Sequence, residues 1–480
     1  MFNKLINLKI NKNTFIISFS LILMSCLVIV YLIILNKLTL SLILILFIIL
    51  TLYFIFEKQF ILFDPFTLFT LYYYTVVVSC WYLLETNFDN NIFIEAQSFT
   101  TNLNELLNIT IIYLIFCYIF AYIGYKTFKK QFTPSIDINN DNISINIINI
   151  LIPIFIVIAM GNFYFNILKF AGGNPFEYMT NVSIRHIEFG EIGGTTLGYN
   201  FGYFAGYFWL YRLFKTKSKI TVLFILFVIL TIFMKASTGR IFGTMAYGFS
   251  FVIIYYFMNY KIETRRHKKY FLGVFIVIIA GLLFYFFRIT SSLSYNNMIE
   301  TDFYTTVFSF VDMDMIAHLA VDKGNIPNVA LLMKIIDSWG TDIQFLYGES
   351  LFTWLSGFIP SSFRLEGYQP SVIIKTTWYS HIRGGNLPPT GMGEMFINFW
   401  YFGAVFGMFI FGALNALIYN LLNKFNNYWY LLIYSNLVIL FAMLYPKGEF
   451  DNIPIMTLLF ILVVYMSLYM LSNFNNRKRE

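Results

Sequence analysis

"HIRGGNLPPTGMGEMFINF", residues 381–399, runs without a break into "WYFGAVFGMFIFGALNALIY", residues 400–419. The second piece is continuously apolar for about 20 residues, the length of helix that crosses a hydrocarbon core. The first piece is rich in Gly and Pro and carries His381, Arg383 and Glu394. Irregular backbone at a membrane is tolerated only where it is buried in protein or lines a wet cavity. Its meaning depends on the side of the membrane it faces.

The whole chain has the same greasy character. Of its 480 residues 58% are hydrophobic and only 12% are charged. A soluble protein of that composition could not cover its surface with polar groups, so the chain reads as an all-α polytopic membrane protein. The net charge of +7 is spread over short loops. No soluble domain presents a basic face, which argues against nucleic acid as a partner. Cys26, Cys80 and Cys117 lie far apart in apolar runs and read as small core residues, with no disulfide framework and no metal site. Lys4, Lys9 and Lys12 precede an apolar run too long for a signal-peptide core, so the first helix is expected to be retained.

Runs of spanning length fall at 14–35, 38–56, 66–84, 106–125, 147–168, 196–213, 220–237, 241–258, 270–288, 398–420, 428–445 and 453–472. That makes about 12 transmembrane helices, with both termini on one side. Loop charge sets the orientation. With the termini cytoplasmic, the inner loops hold "YKTFKK", "RLFKTKSK", "KIETRRHKK" and the basic tail "NRKRE". The outer loops then hold most of the Asp and Glu, as the positive-inside rule requires. Four stretches result: 1–145 with helices one to four; 146–288 with helices five to nine and an outer loop at 171–195; a large outer loop at 289–397; and 398–480 with the last three helices and the tail. The large loop contains half-apolar pieces that read as interfacial helices, and loops of that length usually carry function.

Cations left on the acidic outer side are informative. They include Arg185, Lys235, Arg240, Arg288, Arg364, Lys375 and Arg383. Arg240 opens a helix directly after a "STG" break, where a cation opposes the macrodipole unless an anion sits there too. The plain alternative is that Arg240 and Arg288 snorkel to headgroups and that Arg185 is an ordinary loop arginine. Taken together, the five arginines point to an anion site at the outer face. Planar bidentate donors suit phosphate or diphosphate.

No P-loop, HExxH or paired Cys/His spacing is present, so neither a nucleotide nor a metal cofactor is expected. His381 and Glu394 are candidates for a general base beside Arg383. Glu394 stands at the mouth of a span, where a carboxylate is costly. Asp312 and Asp314 alternate in "VDMDM", and His318 follows Asp314 at i+4 as a possible acid–base pair on a helix face, or simply a polar side.

The order of these features resembles the bacterial O-antigen (oligosaccharide repeat-unit) polymerases of the Wzy family. The residues that carry the resemblance are "AGGNPFEYMTNVSIR" at 171–185, "STGR" at 237–240, "FIPSSF" at 358–363 and "PPTGMGEMFINFWYFGAVFG" at 388–407. It covers about residues 150 to 460, while "SSFRLEGYQP" fits the family's continuation after "FIP" only in part. The resemblance implies a GT-C-like, metal-independent glycosyltransferase at the periplasmic face of the inner membrane. Its substrates would be oligosaccharides on undecaprenyl diphosphate. His381, Glu394 and Arg240 would be catalytic, and Arg185, Lys235, Arg288, Arg364 and Arg383 would bind substrate. Membrane lipids and a polysaccharide chain-length regulator are the further partners it implies.

Two other readings stay open. An O-antigen ligase would share the spans, the outer arginines and the lipid-diphosphate donor. A lipid-linked glycan flippase or transporter would instead place charges in mid-span and show pseudo-repeats. Here the mid-span segments hold almost no ionisable residues, which favours chemistry at one face.

Overall fold

The computed structural model describes residues 37–57, 61–88, 91, 94, 98–132, 134, 144–171, 173, 197–236, 241–259, 329–353, 369–380, 387–424, 427–448, 458–459 and 461–470. Within these residues the architecture is helical, with one isolated bridge between Trp339 and Ile343. The helices are α1 (Leu38–Phe56), α2 (Pro65–Glu85), α3 (Leu103–Phe128), α4 (Ile145–Ala171), α5 (Leu197–Lys215), α6 (Val222–Ala236) and α7 (Ile241–Met258). After them come α8 (Val329–Ser338), α9 (Pro370–Trp378), α10 (Gly391–Phe399), α11 (Met408–Lys424), α12 (Tyr428–Val438) and α13 (Ile461–Met470). Wide π-type turns at Gly403–Gly407 and Ile439–Leu444 lie directly before α11 and directly after α12.

Among the described residues six helices are long and apolar enough to cross a membrane. They are Leu38–Phe56, Pro65–Glu85, Leu103–Phe128, Ile145–Lys169, Gly403–Asn423 and Tyr428–Lys447. Val222–Met234, Ala246–Met258 and Ile461–Met470 are shorter apolar helices, and the expected 196–213 run is helical as α5. The expected spans at 14–35 and 270–288 lie outside the described residues.

Local chemistry sets the boundaries. Asp64 caps α2 by accepting the Phe66 N–H at 2.9 Å, and Pro65 fills the first helical position, where no N–H is needed. Asn102 caps α3 through the Asn104 N–H, and Asn427 caps α12 through the Tyr430 N–H. Glu105 in the first turn of α3 and Lys126 in its last both suit the helix dipole.

Two cores meet along α11 and α12. The first joins α1, α2, α3, α8 and α10 with the start of α11, around Tyr73, Tyr118 and Phe411. The second joins α4, α5, α6, α7 and α12 and is dense in rings, with Tyr203 stacked on Tyr247 at 3.7 Å between centroids. Cys80 and Cys117 are buried free thiols of the first core. Large apolar side chains on the outside of α4 and α6, such as Val157 and Val222, are exposed as lipid-facing residues would be.

Helix direction follows from the pairings. Tyr113 packs on Tyr401, Gly124 abuts Phe409, and Asn420 bonds to the Phe128 carbonyl, so α3 and α11 run parallel. Tyr434 donates to the Phe63 carbonyl and Tyr72 to that of Pro446, so α2 and α12 run parallel as well. Residues 98–102 and 329–353 therefore gather at one end of the bundle. Glu57, Asp64, Lys126 and Lys129 gather at the other.

The continuous span expected at 398–420 is broken. Trp400, at φ 54°, ends α10, and the chain restarts as a separate helix through Gly403–Gly407. Hydrophobicity runs straight through this point, so the break left no trace in the apolar pattern.

Candidate functional site

The stretch that leads into the apolar run itself packs into the helix bundle. Pro388 and Pro389 lead into Thr390, whose side chain caps α10 by accepting the Gly393 N–H at 3.1 Å. The Met392 carbonyl accepts the Tyr113 hydroxyl at 2.9 Å. Tyr113 sits about 15 Å along α3 from its first residue, at about 1.5 Å per residue. The N-terminus of α10 therefore lies deep in the bundle, and its C-terminus climbs back toward the loop end. This is a re-entrant helix, and protein encloses it: residues 391–398 are all buried. That enclosure answers why irregular backbone is tolerated here.

Both ends of this nine-residue helix carry unusual backbone. Thr390 has φ 71° and ψ 155°, and Trp400 has φ 54° and ψ −145°. Such conformations suit glycine, and a side chain there costs about 1–3 kcal/mol. Close packing holds the helix regardless. A Cβ on Gly403 would lie 2.1 Å from the Met395 carbonyl oxygen, so the descending chain touches α10 backbone to backbone.

Glu394 lies in the first turn of α10 and is completely buried. A carboxylate so enclosed needs donors. Ser350, in the short 3-10 turn Glu349–Phe352, donates its hydroxyl to Glu394 Oε1 at 2.7 Å. Asn398, one helical turn on, donates through Nδ2 to Ser350 Oγ at 2.6 Å and to the Glu394 carbonyl at 2.8 Å. The Gly348 N–H donates to Asn398 Oδ1 at 2.9 Å, which fixes the amide orientation. The chain of donors thus has one direction, and it ends on the carboxyl. Tyr445, in the final turn of the α12 span, lies against the same carboxyl. Lys447 follows it in that turn, which packs on α10.

A second polar knot closes the same end of the bundle. Asp337, at the end of α8, accepts from the Thr100 N–H at 3.0 Å, the Thr100 hydroxyl at 2.6 Å and the Thr101 N–H at 3.1 Å. Burial pushes its carboxyl up, but these bonds and one from Ser338 outweigh it and hold the group below the usual carboxylate range. Lys334 donates to the Ser98 carbonyl and to Ser338, between the rings of Phe99 and Trp378. Burial draws its ammonium below the usual range, against the pull of Asp337 and Asp342. Trp378 Nε1 donates to Asp342 at 3.0 Å and ties α9 into the knot.

Of the residues singled out from sequence, Glu394 is placed in full, and it is enclosed rather than at a rim. Lys235 lies in the last turn of α6, and Lys375 is half-buried on α9. Arg185, Arg240, Arg288, Arg364, His381 and Arg383 lie outside the described residues, as do Asp312, Asp314 and His318. No group of three His, Cys, Asp or Glu is gathered for a metal among the described residues.

Sequence reasoning missed Thr390, Ser350, Asn398 and Tyr445. The Glu394–Asn398 spacing, four apart with both polar in a greasy run, was a visible signal. Ser350 gave none, because its partner stands 44 positions away.

Residues 328–445 match the family model described as "Putative O-antigen polymerase". The resemblance drawn from the motifs is borne out over that segment, which starts beside α8 and ends at Tyr445. It contains the re-entrant helix and every side chain of the Glu394 cluster. No curated protein and no solved structure matches the chain.

Proposed function

We propose that the chain polymerises oligosaccharide repeat units carried on undecaprenyl diphosphate into O-antigen polysaccharide, at the periplasmic face of a bacterial inner membrane. The observation that carries the reading is a coincidence of two segments. The stretch matching the polymerase family is the stretch that folds into a re-entrant helix with an enclosed carboxyl at one end of a membrane bundle.

The chemistry required is glycosyl transfer. A hydroxyl on the non-reducing sugar of a new lipid-linked unit attacks the anomeric carbon of the growing chain. The new glycosidic bond forms as the bond to the lipid diphosphate breaks, and the diphosphate leaves with the electron pair. The hydroxyl proton passes to a protein base.

In this reading Arg185, Lys235, Arg288, Arg364 and Arg383 bind the diphosphate and sugars. Arg240 balances the charge that develops on the leaving group. His381 or Glu394 takes the proton. The donors from Asn398 and Ser350 run in one direction and hold Glu394 Oε1 in place. Metal-independent catalysis and a chain-length regulator as partner belong to the same proposal.

The test is a gel of surface lipopolysaccharide from a strain lacking the gene, complemented with wild type, Arg240→Ala, Arg383→Ala or Glu394→Ala. The expected null phenotype is lipid A–core capped by a single repeat unit, with the ladder restored by wild type alone. Long lipid-linked chains with no capping would overturn the reading in favour of a ligase. Single units trapped facing the cytoplasm would overturn it in favour of a flippase.

A further inference from the structure

The Glu394 carboxyl does not meet its environment alone, and the groups that meet it have a fixed polarity. Asn398 has both amide hydrogens committed, one to Ser350 Oγ and one to the Glu394 carbonyl, while Gly348 occupies its oxygen. Ser350 receives at its lone pair, so its own proton is left to point at Glu394 Oε1. Gly348 itself is held at φ 97°, so the backbone that presents its N–H is a tight left-handed turn. Ser350, Asn398 and Glu394 are all completely buried. Water therefore cannot replace a donor that is removed. The strain at Thr390 and Trp400 brackets the same helix, so its position is over-determined by packing.

We propose that Ser350 and Asn398 are positioning residues for glycosyl transfer: they hold the Glu394 carboxyl in one rotamer, and neither touches substrate. The inference rests on the proposed polymerase reading, with Glu394 as the group that takes the acceptor's hydroxyl proton. Ser350→Ala removes both the donor to Glu394 and the acceptor for Asn398 Nδ2. Ser350→Thr keeps the hydroxyl. The two variants therefore separate lost polarity from lost packing.

The experiment is repeat-unit extension by the purified full-length protein in nanodiscs, with synthetic polyprenyl-diphosphate-linked units as donor and acceptor. Folded protein is measured in parallel by thermal unfolding. Ser350→Ala is expected to lower kcat by about 100-fold with KM within about twofold, the size of a general-base contribution. Ser350→Thr is expected to recover most of that loss. Glu394→Gln should be at least as slow as Ser350→Ala, and the double variant no slower than Glu394→Gln, because residues acting as a unit are not additive. Additive losses would overturn the proposal, as would a Ser350→Ala enzyme with wild-type kcat or one whose loss follows only the amount of folded protein. Wild-type protein that extends nothing would instead sink the polymerase reading itself.

Discussion

The carbonyl of Ala121 lies against Gly412 so closely that a Cβ on the glycine would sit 1.8 Å from that oxygen. The contact is reciprocated one turn away, where a Cβ on Gly124 would lie 2.0 Å from the Phe409 carbonyl. Helices α3 and α11 thus touch backbone to backbone, the close approach that small residues permit between membrane helices. Gly412→Ala must push the helices apart, since a carbonyl cannot swing aside like a flexible side chain. The expected cost is about 1–3 kcal/mol or more. It reads out as a lower melting temperature and a broadened size-exclusion peak in detergent. Gly161→Ala is the control, because its Cβ would meet nothing within 4 Å. Equal behaviour of the two variants would refute the close-packing argument.

At the opposite end, Lys129 bridges Glu57 and Asp64 at 3.0 Å each, between the rings of Tyr125 and Tyr419. Burial draws this ammonium down, but the two carboxylates outweigh it, so its protonated form persists above the usual range. A raised lysine contributes stability that is complete below its unfolded value of about 10.4 and is lost as pH rises through the folded value. Thermal stability attributable to Lys129 should therefore be flat from neutral pH to about pH 10 and fall only beyond that. Lys129→Met leaves Asp64 buried without its cation, and it is expected to cost about 3–5 kcal/mol at pH 7. Unfolding curves of both proteins between pH 7 and pH 11 test the size and the window together.

How far the fold could be read in advance is instructive at single positions. Helices α1 to α4 matched their expected runs because an apolar run in lipid has one solution. The break at Trp400 was illegible. Its cause is a tertiary contact, Gly403 against Met395, that no local propensity encodes. Glu394 was legible as a costly carboxylate near a span, but its donors were not, since Ser350 reaches it from a distant turn. That Asp337 clamps the loop before α3 was illegible too, because an acidic residue in a polar loop looks like any solvated one.

That clamp gives a test of its own. Asp337→Asn keeps the shape but replaces one carboxylate oxygen by a donor facing the Thr100 and Thr101 N–H groups. With its pKa held down, Asp337 contributes stability present above its unfolded value of about 3.9 and lost as pH falls through the folded value. The variant should lose about 1 kcal/mol at neutral pH and lack the acid-side decline. Hydrogen exchange localises the effect: the Thr100 and Thr101 amides should exchange faster, with α11 unchanged. Unaltered exchange at both threonines would show that Asp337 does not hold this loop.

The strain at the two ends of α10 can be separated from the side chains that bear it. Trp400 is 49% exposed, so its ring contributes partly to packing and partly to the surface. Trp400→Ala and Trp400→Gly both remove that ring. Only the glycine also relieves the backbone at φ 54°. The difference between the variants therefore isolates the backbone term, even though glycine gains more freedom than alanine in the unfolded chain. Glycine is expected to be the more stable of the two by about 1 kcal/mol, measured as the difference in unfolding free energy in the same detergent. Thr390 offers the converse case, since its hydroxyl caps the helix while its backbone is strained. Thr390→Val keeps the strain and the bulk but loses the cap, so it should cost about 1–2 kcal/mol. Thr390→Gly loses the same cap but sheds the strain, and should therefore lie closer to wild type. If alanine matched or exceeded glycine at Trp400, and valine matched glycine at Thr390, α10 would not be a strained element, and tight packing alone would account for its re-entrant course.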